Sequence, residues 1–560
     1  MRCCFITLGC RVNQYESDAM AELIKDAGYE LTDDPAKADV CVVNTCTVTN
    51  IADRKSRQML SKAHRLNERA KLVVCGCFAQ RRPEEAGSLA GVDAVIGSSD
   101  KGRIVEIVNS LFSDEDEKSE KTNFIGADGE NVKSNFMGAD EESAKPNFMG
   151  ADGETAKPNS MGADEETAKS NSMGTDEEPV QSNSMAAEGE AVKLNPFGVD
   201  GEAVKPKCMG DDEETAKSNF VGMDGEVEKS NFIGTDDREK KPKVFVRDVM
   251  HEHEFEELSA VREGRTRAYL KIQDGCNMFC TYCAIPFARG AIRSRSLSSV
   301  RREAEKLNEG GYAEVVLTGI HLMSYGRDLP ERPNILDAIA CFDGLENIKR
   351  IRLGSLEPHL MSDEIIEGLA ENPRICKQFH LSLQSGSTTV LSRMKRGYTA
   401  DEYYELCQKL RSAFGEELAV TTDIIAGFPG ETRAEHEETI AFIEKVGFSK
   451  VHVFPYSRRS GTLADKMKNQ LSNAEKSARA RELISKGKSS ELEFLSRYLG
   501  KEVNVLIESD DGESSFGYTD NYIRMRILSA EPINRIVCAV ADSIEQTSDG
   551  ELRLTANVIA

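Results

Sequence analysis

In the first 112 residues apolar positions come in short continuous runs: RCCFITLG, ADVCVVNT, AKLVVCG and VDAVIG. Each run is too short for a helix and too uniformly apolar for a half-exposed strand, so the runs predict strands buried on both faces of a parallel sheet. Between them the pattern turns helical, around Ser17–Ala27 and Asp53–Arg69. The same alternation resumes at residue 244. Strands are predicted at AYLKIQD, AEVVLTG, NIKRIRLG, QFHLSLQS, LAVTTDIIAGF and KVHVFPYS. Helices are predicted over Leu297–Asn308, Asn334–Phe342, Ser362–Glu371, Thr388–Arg393, Ala400–Phe414 and Arg433–Val446. Six strand–helix units predict a parallel barrel, open or closed, over 244–495. A polar, basic helix, Asn473–Tyr498, ends that region. The last segment, 496–560, shortens into EVNVLIE, GYTDNYIRMRI, RIVCAVADSI and GELRLTANVI, a small all-β module expected to be a five-stranded barrel. The fold class expected is α/β, with this β-barrel appended.

The intervening segment, 113–243, breaks the pattern. Residues 122–241 divide into ten units of twelve, from TNFIGADGENVK to SNFIGTDDREKK. Each unit holds few apolar side chains and many Asp, Glu, Asn, Gly and Ser. It buries too little surface to offset its ordering entropy, so a disordered linker is expected, with a solenoid of stacked repeats as the alternative. The net charge of −24 looks unfavourable for a nucleic-acid partner. The repeats carry −15 of it, however, leaving −9 for the rest of the chain.

No run of about 18 apolar residues occurs, which predicts no membrane span. MRCCFITLGC lacks the length and the cleavage site of a signal peptide. The fifteen cysteines are spread over a long chain. They point to a reducing, cytoplasmic compartment, where clustered thiols bind metals or act in catalysis.

Three of them, Cys276, Cys280 and Cys283, fall within DGCNMFCTYC, directly after the first predicted barrel strand. That loop lies at the C-terminal mouth of a parallel barrel, where active sites form. Zinc would need a fourth ligand, for which His251, His253 and His321 are the nearest candidates. A [4Fe–4S] cluster accepts three thiolates and keeps one iron open. Three strands of the N-terminal region also end in cysteine: Cys10, Cys46 and Cys77. Strand ends of a parallel sheet share one edge, so three loops can bring these residues together. Cys41 and Cys75 lie earlier in their strands and pack as small hydrophobes.

The C-x-x-x-C-x-x-C loop after a first barrel strand resembles the radical S-adenosylmethionine enzymes. The resemblance implies that Cys276, Cys280 and Cys283 are catalytic and hold a cluster whose open iron chelates S-adenosylmethionine. Splitting that cofactor yields a radical able to remove hydrogen from an unactivated carbon. Thr318 and Gly319, Ser355, Gln384 and Tyr282 match positions that contact the cofactor, and DIIAGFPGE resembles the stretch packed along its adenine. TLGCRVNQYES, VNTCTVT and GCFAQ, followed by DGCNMFCTYCAIPFARG and GYTDNYIRMRI, resemble the methylthiotransferases. That resemblance covers almost everything but the repeats. It implies a second [4Fe–4S] cluster on Cys10, Cys46 and Cys77 that supplies sulfur, and a TRAM-like RNA-binding barrel at the C-terminus. CTYCAIPFARG, EVVLTGIHLMSYGRDL, SLQSGSTTVLSRMKRGYT and VHVFPYSRRSGT look most like the branch acting on N6-threonylcarbamoyladenosine of the tRNA anticodon stem-loop. The alternatives are the isopentenyladenosine branch and the branch that modifies a ribosomal-protein aspartate. An electron donor such as flavodoxin or ferredoxin and a sulfur source are implied partners. Arg289, Arg293, Arg295, Arg301, Arg302, Arg458 and Arg459 are expected to meet tRNA phosphates, with the cofactor carboxylate or ordinary ion pairs as alternative partners for some of them. Tyr518, Tyr522, Arg524 and Arg526 are expected to add stacking and charge in the terminal barrel, with packing in the barrel core as the alternative for the aromatics.

Overall fold

The computed structural model describes residues 1–122, 241–260 and 266–559. The N-terminal apolar runs form a parallel sheet in the order Glu30–Leu31, Arg2–Thr7, Val40–Thr45, Lys71–Gly76, Val92–Ile96 and Lys243–Phe245. The last of these strands comes from the far side of the repeats. The repeats themselves, apart from their terminal residues Thr122 and Lys241, lie outside the described residues. Val40–Thr45 is buried at every position, as a strand covered on both faces must be. Helices Arg11–Asp26 and Asn50–Leu66 flank the sheet, the second capped by the Thr49 side chain, which accepts from the Ala52 N–H.

Six parallel strands follow: Arg267–Lys271, Glu314–Thr318, Arg350–Leu353, Gln378–Leu381, Ala419–Ala426 and Lys450–Pro455. The third runs on through Gly354 into Ser355–Leu356, which pairs with the fourth. The strands stay in chain order, giving the expected partial (βα)6 barrel. On the first strand Ala268 and Leu270 join the core beneath the surrounding helices. Their alternates Arg267, Tyr269 and Lys271 face the other way. The helix Asn473–Ser496 then leads to a closed five-stranded barrel of Glu502–Asp510, Ser515–Thr519, Arg524–Ile527, Leu552–Val558 and Ile536–Gln546.

This terminal barrel docks at the N-terminal ends of the radical-barrel strands. Arg350 donates to the Tyr518 and Asn504 carbonyls at 3.0 and 2.9 Å, and Arg352 to the Asp520 carbonyl at 2.9 Å. Arg267 and Arg352, both paired with buried Glu314, lie 5.2 and 4.6 Å from the Tyr522 ring centroid. Tyr522 stacks on Tyr518 at 4.6 Å. These two tyrosines are half-buried at the floor of the barrel, engaged with each other and with Arg267 and Arg352. Among the described residues no helix is long and apolar enough to cross a membrane.

Candidate active site

The first radical-barrel strand ends at Lys271, and the chain turns through Gln273 into the three-cysteine loop. Gln273 holds that turn: its amide nitrogen donates to the Asp274 and Gly275 carbonyls at 2.7 and 2.8 Å, and its oxygen accepts from the His321 N–H at 2.6 Å. Gly275 has φ +71°, and a Cβ there would lie 1.7 Å from the Ala291 carbonyl oxygen. Only glycine makes this turn. Cys276 and Cys280 are buried and Cys283 is half-buried. The Met278 N–H donates to Cys276 Sγ and the Ile285 N–H to Cys283 Sγ, both at 3.4 Å. Arg396 donates to Cys280 Sγ at 3.4 Å while its other nitrogen is held by Glu357 at 2.6 and 2.7 Å. Every thiol of the loop therefore has a donor aimed at sulfur, an arrangement that favours thiolate. Burial works against it, pushing Cys276 up to about 11 and Cys283 up to about 12. A bound metal centre that takes them as thiolates displaces those protons.

The loops that carry Cys10, Cys46 and Cys77 lie beside one another. A Cβ on Gly9 would stand 3.2 Å from Cys46 Sγ, which places the Cys10 loop against Cys46. Burial pushes the Cys46 thiol up to about 12, and the neighbouring Cys77 and Cys10 thiols add to it. Among the described residues no three His, Cys, Asp or Glu side chains converge closely enough to share one metal ion. A four-iron cube binds each thiolate to a separate iron, so it asks for a wider trio than one tetrahedral ion does. His321, a possible zinc ligand by sequence, is bonded through Nδ1 to Ser324 Oγ at 2.5 Å, and His251 is exposed beside Asp248.

One side chain joins the two cysteine sets. Arg289, six residues after Cys283, is fully buried and donates to Cys77 Sγ at 3.2 Å and to Asn13 Oδ1 at 2.7 Å. It also pairs with Glu16, which takes Lys271 at 2.9 Å and Lys101 at 3.0 Å. Burial alone would raise the Glu16 pKa, but Arg289, Lys101 and Lys271 overcome it and hold the carboxylate well below its usual range. Nothing local in the sequence marks Arg289, since Glu16 and Asn13 lie more than 270 residues away. The one legible sign was Lys271, a lysine that directly follows the apolar run Ala268–Leu270.

The other expected site residues line the C-terminal mouth. Thr318 is buried at the end of the second strand, and Gly319 packs against Gln273, where a Cβ would meet Oε1 at 2.9 Å. Ser355 is exposed in the short strand that continues the third. Gln384 has φ +75°, kept there by its N–H bonding to Asp423 and its carbonyl accepting from Ile425 at 2.8 and 2.9 Å. Tyr282 meets Phe428 of the DIIAGFPGE stretch edge-on at 6.5 Å. Glu357 and Arg396, at the same mouth, were missed because each is charged and locally unremarkable.

The phosphate-binding role expected of the arginines needs correction. Arg289, Arg293, Arg295 and Arg459 are at most 3% exposed. Arg459 is committed to Asp53, Thr47 and Asn50 at 2.7–2.8 Å, and Arg295 donates to the Tyr15 hydroxyl at 3.0 Å. Arg289, Arg295 and Arg459 tie the N-terminal domain to the barrel. Arg301, Arg302 and Arg458 are paired with Glu305, Glu257 and Asp465. Sequence reading counted positive charge but did not see burial.

A family model described as "Uncharacterized protein family UPF0004" matches residues 2–97, and one described as "Radical SAM superfamily" matches 270–443. The chain is 33% identical over 541 residues to the threonylcarbamoyladenosine tRNA methylthiotransferase MtaB of Bacillus subtilis, spanning 95% of this chain and 92% of that protein. It is 30% identical over 503 residues to the protein of the same name in Thermotoga maritima, spanning 90% and 85%. A tRNA-2-methylthio-N(6)-dimethylallyladenosine synthase of Thermoanaerobacter is 39% identical, over only 45% of this chain and 54% of that protein. Among solved structures, a radical S-adenosylmethionine methyltransferase, TsrM, from Kitasatospora setae has a TM-score of 0.47 at 14% identity, over 83% and 76%. That likeness is too slight to carry ligand geometry across. Fold and site together define a radical S-adenosylmethionine protein with an added N-terminal cysteine domain. Within that class, the chain belongs to the threonylcarbamoyladenosine tRNA methylthiotransferase family.

Proposed function

We propose that this protein converts N6-threonylcarbamoyladenosine next to the tRNA anticodon into its 2-methylthio derivative. The observation that carries the reading is the end-to-end likeness to the Bacillus subtilis enzyme, with both cysteine trios present in this chain. Its cofactors are S-adenosylmethionine and two [4Fe–4S] clusters. Cys276, Cys280 and Cys283 hold one cluster in the radical domain, 244–495, and Cys10, Cys46 and Cys77 hold the other in the N-terminal domain, 1–112. The donor sets fit: each trio leaves one iron without a protein thiolate, and Arg396 and Arg289 offset thiolate charge. When bound, these groups supply the electron that splits S-adenosylmethionine and the sulfur that is inserted.

The chain's own residues do the positioning. Thr318, Gly319, Ser355, Gln384 and Tyr282 frame the mouth in which S-adenosylmethionine binds. Glu357 fixes Arg396 toward Cys280, and Arg289 keeps the second trio against the radical domain. The acidic repeats separate the body of the N-terminal domain from its last sheet strand, Lys243–Phe245, and the 496–560 barrel acts as a TRAM-like module. An electron donor of the flavodoxin or ferredoxin kind and a sulfur source serve the reaction in the cytoplasm, on the anticodon stem-loop.

Nucleoside analysis of tRNA from a deletion strain tests the proposal. The 2-methylthio derivative of threonylcarbamoyladenosine should disappear. Loss of the isopentenyl counterpart instead would move the protein to the sibling branch, and an unchanged profile would exclude tRNA as its substrate.

A further inference from the structure

With four of its arginines buried and Arg458 paired with Asp465, the mouth needs another source of positive charge for an RNA substrate. The terminal barrel does not provide it there, because it docks at the opposite ends of the strands. The helix Asn50–Leu66 does. It begins four residues after Cys46, and the Asn50 N–H donates to Ser457 Oγ at 2.9 Å, on the loop that follows the last barrel strand. That loop in turn touches the radical cysteine loop, where the Ala464 N–H donates to the Thr281 carbonyl at 2.8 Å. The helix thus starts between the two cysteine sets and leads away from them.

Its two faces differ sharply. Asp53, Ser56, Leu60 and Ala63 are buried against the sheet. Arg54, Lys55, Lys62 and Arg65 are exposed on the opposite face, within an arc of about 100° at 100° per residue. The helix has a single acidic residue, Asp53, and that residue is buried and bound to Arg459. Among the described residues Arg54, Lys55 and Lys62 form no ion pair, in a chain of net charge −24. From Arg54 to Arg65 is about 16 Å of helix. Lys466 and Lys468, exposed on the adjoining loop, extend the charge around the rim. Apolar exposure is found at the mouth end of this track, with Val48 and Ile51 50% and 63% exposed.

We propose that the outward face of Asn50–Leu66 is the surface that grips the sugar–phosphate backbone of the RNA stem, while Val48 and Ile51 meet the unstacked loop bases. This rests on the tRNA reading above. A line of unpaired cations that ends in apolar side chains matches a phosphate backbone leading into splayed bases. An acidic protein surface would be matched by a compact patch instead.

The test uses the full-length reconstituted enzyme with Arg54, Lys55 and Lys62 all changed to Gln, and a control with Lys25, Lys349 and Lys409 changed to Gln. Affinity for unmodified tRNA is measured against salt. The helix variant should bind at least about tenfold more weakly at about 100 mM salt, with the log–log salt slope reduced by about 2–3, while the control follows wild type. Circular dichroism of each variant confirms that it is folded. Equal binding by wild type and the helix variant overturns the inference, and so does an equal loss in both triple variants, which would mean diffuse charge. Slower reduction by flavodoxin with unchanged tRNA affinity would also overturn it, assigning the helix to an acidic protein partner. Failure of the wild-type protein to bind any tRNA would instead overturn the functional proposal on which the surface depends.

Discussion

At the scale of single residues, the two cysteine trios make separable predictions. Cys276 sits in the loop at the barrel mouth, and Cys46 belongs to the set behind Arg289. Cys276→Ala should abolish formation of 5′-deoxyadenosine from S-adenosylmethionine. Cys46→Ala should leave that cleavage intact and stop methylthiolation of tRNA. Chromatography of both products from the same reaction decides it, and a Cys46→Ala enzyme that still makes methylthio product would reduce that trio to a structural role. Arg289 shows why residue-level reading of sequence stops short. As one arginine of a basic stretch it looked like a phosphate ligand. Burial with Glu16, Asn13 and Cys77 makes it an internal strut.

At the scale of elements, each site depends on a turn that only glycine makes. Gly275 precedes Cys276 with φ +71°, and Gly76 precedes Cys77 with φ +92°. A Cβ on Gly76 would lie 2.4 Å from Asn44 Oδ1 and 2.6 Å from the Thr45 carbonyl oxygen. Substituting alanine forces each loop to move, because the blocking atoms are mainly backbone or buried side chain. Gly275→Ala and Gly76→Ala should each reconstitute with about four irons per chain in place of about eight. Gly275→Ala should also lose S-adenosylmethionine cleavage, whereas Gly76→Ala should keep it. Full iron content in either variant would contradict the assignment of its loop. The main elements were readable from sequence, since the N-terminal sheet strands such as Val40–Thr45 are short apolar runs and the longer helices are amphipathic. Their boundaries moved: the helix expected at Ser17–Ala27 starts at Arg11, immediately after Cys10.

At the scale of the whole molecule, the terminal barrel and the radical barrel share a buried ionic floor. Burial would raise the Glu314 pKa, but Arg352 and Arg267 hold it down to about 2. Its ordinary value is 4.5, so between these pH values the native state binds fewer protons than the unfolded state. The stabilisation, on the order of 3 kcal/mol, is complete above about pH 5 and disappears as pH falls toward 2. Glu314→Gln should lower the melting temperature at neutral pH and flatten its fall between about pH 5 and 3. Calorimetry that finds the same slope in variant and wild type would remove Glu314 from the acid response. What the sequence alone determined is the order of the elements, the β-rich module at the end and the two sets of three cysteines. All of these are local: apolar period, turn residues and cysteine spacing act over a few residues and survive without knowledge of distant partners. Only the tertiary structure decided which charges are spent. Arg289, Arg295, Arg352 and Arg459 vanish into interfaces because desolvated cations need carboxylate, hydroxyl and carbonyl partners, and those partners come from other domains. The cations of Asn50–Leu66 stay outside because the sheet takes the opposite face of that helix.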